Sequence, residues 1–268
     1  MNRRFIQFRG STVSYQIFGE GEAIMFLHGF GEDGNIWINQ INYFSRNFRL
    51  IIPDIPGSGY SPIMPFNSST LTLADYAAAM YAILQAENIT QISLVGHSMG
   101  GYIALEMARL YESVIHKFCM FHSTAFADSE EKIKLRLRSI DFVKRFGAAM
   151  FLKESIQANY SAGWKEKNMD QLKDITAIIE RFSDLAIIQY YQIIIQRKDQ
   201  TNLLRAFKKP ILFIIGVHDN AVPLADSLQQ CHLPPHSFVT ILQNSAHSGM
   251  WEEPEKSNQA LLNFLLHP

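Results

Sequence analysis

Cysteine is scarce: Cys119 and Cys231 are the only two in 268 residues. Two cysteines exclude a disulfide framework, and in a chain of this length they read as reduced thiols of a cytoplasmic protein. An excess of charge is also missing. With 24 Lys and Arg against 25 Asp and Glu, the formal net charge is −1, so no overall field draws in a polyanion and no nucleic-acid partner is expected. No apolar run reaches the ~18 residues needed to span a bilayer, and the stretch Met1 to Arg9 lacks the apolar core of a signal peptide. No membrane partner is expected either. Compositional bias is absent as well: 15 Gly and 10 Pro are ordinary usage, and 47% apolar with 18% charged residues excludes intrinsic disorder. What remains is a chain long enough to bury one large core, as one domain with an insertion or as two.

Eight short β-like runs are present: Phe5 to Arg9, Thr12 to Phe18, Ala23 to Leu27, Arg49 to Pro53, Gln91 to Gly96, His116 to Phe121, Ile211 to Ile215 and Phe238 to Leu242. The later ones are nearly continuous apolar stretches separated by helical patterns, the rhythm of βαβ units and of a parallel sheet buried on both faces. A helix is predicted over Thr72 to Glu87, opening with Thr72 three residues before Asp75 as in a capping box, with Tyr76, Met80, Ile83 and Leu84 on one side. From about Phe126 to Lys209 the strand rhythm stops and only helical patterns remain. One helix is expected to start at Ser129 as N-cap and end near Gly147, and another to run from about Asp170 to Arg197. The chain therefore divides into a core of residues 1–125 and 210–268, with residues 126–209 inserted.

Charge is uneven between these parts. Residues 126–209 hold 16 of the 24 basic side chains and 11 of the 25 acidic ones, a local balance of +5 over a more acidic core. Lys132, Lys134, Arg136 and Arg138 recur at every second position, a spacing that spreads charge around a helix, so the favoured reading is a solvated surface. The sharper alternative is a basic lid over a site for anionic molecules.

Gly96-His97-Ser98-Met99-Gly100 lies between an apolar strand and a helix-compatible run. A serine on so tight a strand-to-helix turn has its hydroxyl pushed out at the top of the sheet, and glycines flank it because side chains there would meet neighbouring backbone. A serine nucleophile needs a base. Of nine histidines, His247 alone lies in a loop directly after the last predicted strand, where parallel sheets build their sites. The base needs an orienting carboxylate, and Asp219 follows the strand Ile211 to Ile215. Asp54, in a turn-like setting, and Asp128, beyond the sixth strand, are the rivals, and replacing Asp128 is expected to be nearly silent. The backbone amides of Phe30, in His28-Gly29-Phe30-Gly31, and of Met99 are the expected oxyanion donors, with His28 bracing its loop.

These segments in this order, with Asp54-Ile55-Pro56-Gly57-Ser58-Gly59-Tyr60-Ser61, Gly216-Val217-His218-Asp219-Asn220-Ala221-Val222-Pro223 and Ser245-Ala246-His247 before Glu252-Glu253-Pro254, resemble the α/β-hydrolase fold family over nearly the whole chain. The resemblance implies an α/β fold with a mostly parallel eight-stranded sheet flanked by helices, and identifies residues 126–209 with the helical cap inserted after the sixth strand. Serine at position 98 separates the chain from the dehalogenase and epoxide-hydrolase branches, which place aspartate there, and Phe30 departs from the tryptophan of cofactor-free haloperoxidases. It further implies a serine hydrolase of small or medium carboxylic esters, lactones or thioesters, acting on a small molecule through an acyl-enzyme, without cofactor or metal. His122, Phe142, Phe146, Tyr160, Trp164, Tyr191 and Trp251 are the expected lining of an apolar pocket. Carbon–carbon bond hydrolysis with the same triad, or a receptor of the same fold without turnover, are the alternatives.

Overall fold

The computed structural model describes residues 3–65 and 71–267. Its eight strands are β1 (Arg3–Phe8), β2 (Ser11–Phe18), β3 (Glu22–Leu27), β4 (Phe48–Pro53), β5 (Ile92–His97), β6 (Ile115–Phe121), β7 (Ile211–Gly216) and β8 (Ser237–Leu242). They form one sheet in the order β1-β2-β4-β3-β5-β6-β7-β8, antiparallel at the β1–β2 and β2–β4 pairs and parallel from β4 onward. All eight predicted strands are present, their ends within two residues of those expected.

Helices α1 (Ile38–Phe44), α2 (Leu73–Ala86) and α3 (Met99–Leu110) lie between the early strands. Six more, α4 (Glu130–Phe146), α5 (Ala148–Gln157), α6 (Ala162–Lys167), α7 (Met169–Thr176), α8 (Asp184–Ile195) and α9 (Thr201–Ala206), fill the stretch between β6 and β7. The last are α10 (Leu224–Cys231), α11 (Gly249–Glu252) and α12 (Pro254–Leu266).

The central strands read as continuous apolar runs, yet their alternate side chains enter different cores. In β3, Met25 and Leu27 join the cluster formed with Tyr76, Met80, Ile83 and Leu84 of α2 and Ile103 and Met107 of α3. Ile24 and Phe26 face the other way, onto Ile41 and Phe44 of α1 and Leu261, Phe264 and Leu265 of α12. This is the two-residue period of a strand covered on both faces.

The predicted capping box is in place: Asp75 Oδ2 accepts from the Thr72 amide and hydroxyl, each at 2.9 Å. Helix α4 has its expected ends, with Ser129 accepting from the Lys132 amide and Gly147 at φ 86° after the last turn. The single long helix expected from about Asp170 to Arg197 is instead broken. Helix α7 passes into a 3₁₀ turn over Ala177–Arg181, the chain extends at Phe182, and α8 restarts where Ser183 Oγ accepts from the Ala186 amide. A buried Phe182 and a serine able to cap make the restart favourable where a continuous helix would turn apolar groups outward.

Because β3, β5, β6, β7 and β8 are parallel, their carboxyl ends emerge at one edge of the sheet. The loops opening at His28, Ser98, His122, Val217 and Gln243 therefore converge there.

Candidate active site

Ser98 occupies the sharp joint between β5 and α3, at φ 49° and ψ −114°. A non-glycine residue there is strained and persists only where its surroundings over-determine it. Those surroundings are identifiable: the Ser98 amide donates to the Phe121 carbonyl at 3.0 Å, and the Ser123 hydroxyl donates to the Ser98 carbonyl at 2.8 Å. The neighbouring glycines are steric necessities. A Cβ on Gly96 would stand 2.5 Å from the Gly100 carbonyl oxygen, and one on Gly100 would stand 2.3 Å from that of Leu27.

Strand ends bring the partners of the hydroxyl together. Ser98 Oγ lies 2.9 Å from His247 Nε2, and His247 Nδ1 lies 2.7 Å from Asp219 Oδ2. With Nδ1 donating to the carboxylate, Nε2 is left as an acceptor for the serine proton. The second oxygen of Asp219 accepts from the Ala221 and Val222 amides at 2.8 and 2.9 Å. Burial alone would raise the Asp219 pKa, but the His247 charge and the two neighbouring imidazoles outweigh it and hold the carboxyl well below its usual range. For His247, burial favours the neutral ring, yet Asp219 prevails and raises its pKa above the ordinary value.

His122, expected in the pocket, lies instead beneath the acid. Its Nε2 accepts from the Gly249 amide at 3.1 Å, which leaves the proton on Nδ1, 3.2 Å from Asp219 Oδ2. Complete burial pushes this histidine down to about 4, so it faces Asp219 as a neutral ring.

The His247 loop is tied at several points. Glu252 Oε2 accepts from the amides on either side of the histidine, Ala246 at 2.9 Å and Ser248 at 3.1 Å, while Oε1 takes the Ser161 amide at 2.8 Å. The His247 amide donates to the Asn159 carbonyl at 2.9 Å. From below, the His97 ring spans the His247 carbonyl and the Glu32 carboxylate, each at 2.8 Å, and Glu32 also takes the Gly29 amide at 2.6 Å. His97 and Glu32 thereby couple the loop after β3 to the loop after β8. His28 holds that first loop from underneath, its Nε2 accepting from the Ile55 amide at 2.9 Å.

Ser98, His247, Phe30 and Met99 share a cavity of about 130 Å³ with Glu32, His97, Tyr102, Arg136, Ser155, Asn159, Tyr191, Ile194, Ala221 and Val222. Neither the Phe30 nor the Met99 amide has a hydrogen-bond acceptor among the described residues. Met99 begins α3, so its amide is one of the unsatisfied donors at a helix N-terminus. The Phe30 ring packs on Tyr191, with centroids 4.6 Å apart. A hydroxyl against an imidazole acceptor, beside two unengaged amides, can attack an electrophilic carbon whose oxygen then gains charge next to those donors.

The expected pocket lining is corrected in several places. Of the seven side chains, Tyr191 alone lines this cavity. Phe142 and Phe146 pair with each other on the outer side of α4, 37% and 58% exposed, because that helix turns Ile140 and Val143 inward. Tyr160 and Trp164 stack at 4.8 Å and, with Trp251, border a separate surface groove of about 1060 Å³. The cavity itself is not the apolar one expected, since Glu32, Tyr102, Arg136, Ser155 and Asn159 bring polar groups to it. None of those five was read as a site residue from the sequence, and Glu252 was quoted only as part of the motif after His247. Arg136 lies four residues before Ile140 and seven before Val143, on the stripe of α4 that the fold buries.

Among the described residues one group, His122, Asp219 and His247, has the composition of a metal site. Its ring nitrogens already serve Ser98, Asp219 and the Gly249 amide, a donor set arranged for proton transfer.

The sequence profile of the alpha/beta hydrolase fold matches residues 22–254. The chain belongs to the α/β-hydrolase fold family. Among curated relatives, the (E)-2-((N-methylformamido)methylene)succinate hydrolase of Acinetobacter baylyi is 24% identical over 267 residues, 95% of this chain and 94% of that one. A thermophilic esterase from Thermogutta terrifontis, solved with malate bound, superposes with a TM-score of 0.91 at 25% identity, covering 99% and 98% of the two chains. The enol-lactonase of Burkholderia xenovorans LB400 has the same fold, with a TM-score of 0.90 at 20% identity and coverage of 98% and 100%.

Proposed function

We propose that this α/β-hydrolase cleaves small carboxylic esters, lactones and thioesters included, through an acyl-enzyme on Ser98. The observation that carries the reading is the unbroken hydrogen-bonded series from Ser98 Oγ through His247 to Asp219, at 2.9 and 2.7 Å. In the first half-reaction His247 accepts the serine proton as Oγ attacks the acyl carbon, and Asp219 stabilises the imidazolium. The Phe30 and Met99 amides receive the oxyanion, each donor being worth roughly 3 kcal/mol. His247 then returns the proton to the leaving oxygen, and water, activated in the same way, releases the acid. The esterase from Thermogutta terrifontis supports an ester substrate. The cavity, about 130 Å³, is slightly smaller than the roughly 150 Å³ that accommodates benzene, which favours short acyl groups over medium ones. Residues 126–209 act in this reading as a cap, closing the site through Arg136, Ser155, Asn159, Tyr191 and Ile194. Two buried free thiols agree with a reducing, cytoplasmic setting.

Incubation with a fluorophosphonate followed by peptide mapping tests the nucleophile, and turnover of p-nitrophenyl acetate and butyrate tests the bond class. Modification of Ser98 with release of p-nitrophenol is the expected result. Label on another serine, or ester turnover that survives Ser98→Ala, would refute the proposal.

A further inference from the structure

We infer that Arg136 is the anchor for a carboxylate on the substrate, so that the preferred esters are half-esters of short dicarboxylic acids. The inference rests on the ester-cleaving reading of the Ser98 site and names its substrate class. Arg136 is the one Lys or Arg among the cavity-lining residues, and it shares that lining with Ser98. It is held from behind. Asp128 takes its Nε at 2.5 Å and its Nη2 at 3.2 Å, side-on, while Arg197 Nη1 meets the same carboxylate at 2.8 Å.

Two features of this arrangement point to a ligand. Two guanidiniums around one carboxylate leave one positive charge in excess, and Asp128 is fully buried with Arg197 only 5% exposed. Burying such a group is costly unless a further anion compensates it. A side-on pairing through Nε and Nη2 also leaves Nη1 and the second Nη2 proton, the end-on fork that matches a carboxylate in two parallel hydrogen bonds. Arg136 is 23% exposed, so the charge remains reachable where Arg197 is not. Glu32, the one carboxylate in the lining, is engaged by His97 and the Gly29 amide and does not pair with Arg136. The even charge spacing along α4 read as a solvated surface. The fold selects one of those four cations for the cavity, while Lys134 and Arg138 stay exposed.

Monoethyl succinate and ethyl 4-methylpentanoate have the same shape, with a carboxylate in one where the other has an isopropyl group. Their kcat/KM values, read by proton release, should differ at least tenfold in favour of the anion, and Arg136→Gln should remove that ratio. Arg136→Lys should keep part of it, and Arg138→Gln, altering an exposed neighbour, should keep all of it. A ratio near one in the native protein, a ratio unchanged in Arg136→Gln, or an equal loss in Arg138→Gln would overturn the inference while leaving the ester reading intact. Calorimetric titration of Ser98→Ala and of Ser98→Ala/Arg136→Gln with monoethyl succinate repeats the comparison without turnover. At least tenfold weaker binding in the double variant sustains the anchor even where hydrolysis fails. Equal binding sinks it.

Discussion

The chemistry proposed for Ser98 depends on a proton leaving its hydroxyl, and each residue around it can be weighed by that requirement. Ser98→Ala should abolish nearly all ester turnover while leaving the circular dichroism spectrum unchanged, because it deletes one oxygen and keeps the backbone contacts that hold the turn. Asp219→Asn should lower kcat by roughly four orders of magnitude, since an amide facing Nδ1 favours the wrong imidazole tautomer. An undiminished rate in that variant would place the orienting acid elsewhere. Replacing Asp128, the rival acid, is expected to be nearly silent in kcat but not in stability. Its carboxylate is fully buried against Arg136 and Arg197, so Asp128→Asn leaves two guanidiniums without a counter-charge and should cost about 3 kcal/mol in urea unfolding. A loss under 1 kcal/mol would contradict that account. The pH profile follows from His247, which must be neutral to act as base. Asp219 raises its pKa, so the rising limb of kcat/KM should lie above pH 6.5, the ordinary histidine value. A limb below pH 6 would mean that burial dominates over the carboxylate.

At the scale of elements, the sheet was legible because its signals are local. The runs around Ile24, Val95 and Phe213 are nearly continuous apolar stretches, interrupted in the second by Ser93, and a strand covered on both faces favours that pattern. The convergence of Ser98, Asp219 and His247 was readable for a related reason: each sits one to five residues beyond a parallel strand, so topology alone brings them to one edge. The lining from residues 126–209 was not readable in this way. Which face of α4 turns inward depends on how it packs against α8, and Phe142 and Phe146 are as apolar as Ile140 and Val143, so composition could not choose between faces. The break at Phe182 and Ser183 was hidden because no Gly or Pro marks it and apolar residues recur on both sides, and the serine cap with the buried Phe182 favours it. Lys117 shows the converse, a charged residue in a buried strand. Its ammonium donates to the carbonyls of Phe264, Leu265 and His267 at the end of α12, satisfying groups that a helix C-terminus leaves open. Lys117→Met keeps the stem and removes those bonds, and should lower stability by roughly 1–3 kcal/mol. No change in the urea midpoint would show that water can replace the ammonium there.

For the whole molecule, the buried histidine beneath the acid gives stability a pH dependence with a definite sign. His122 has its pKa depressed from 6.5 to about 4, so between these values the unfolded chain binds a proton that the folded chain refuses. Stability is therefore fully present above pH 6.5 and declines as pH falls, by about 2 kcal/mol at pH 5 from this residue. The raised pKa of His247 acts in a separate window. Its folded ring holds the proton above pH 6.5, so its contribution is present below 6.5 and is lost as pH rises through the folded value. Asp219, with its pKa depressed, contributes above about pH 4 and loses that contribution only in stronger acid. The interval from pH 6.5 to 5 consequently belongs to His122 more than to the proposed catalytic pair. Urea unfolding at pH 7 and pH 5 should show the native chain losing stability across that step, and His122→Gln, which cannot titrate, should show a loss smaller by about 2 kcal/mol. The comparison uses each variant's own difference between two pH values, so any fixed cost of the substitution cancels. An identical loss in both proteins would mean that His122 accepts its proton in the folded state, and that the ring facing Asp219 is not neutral.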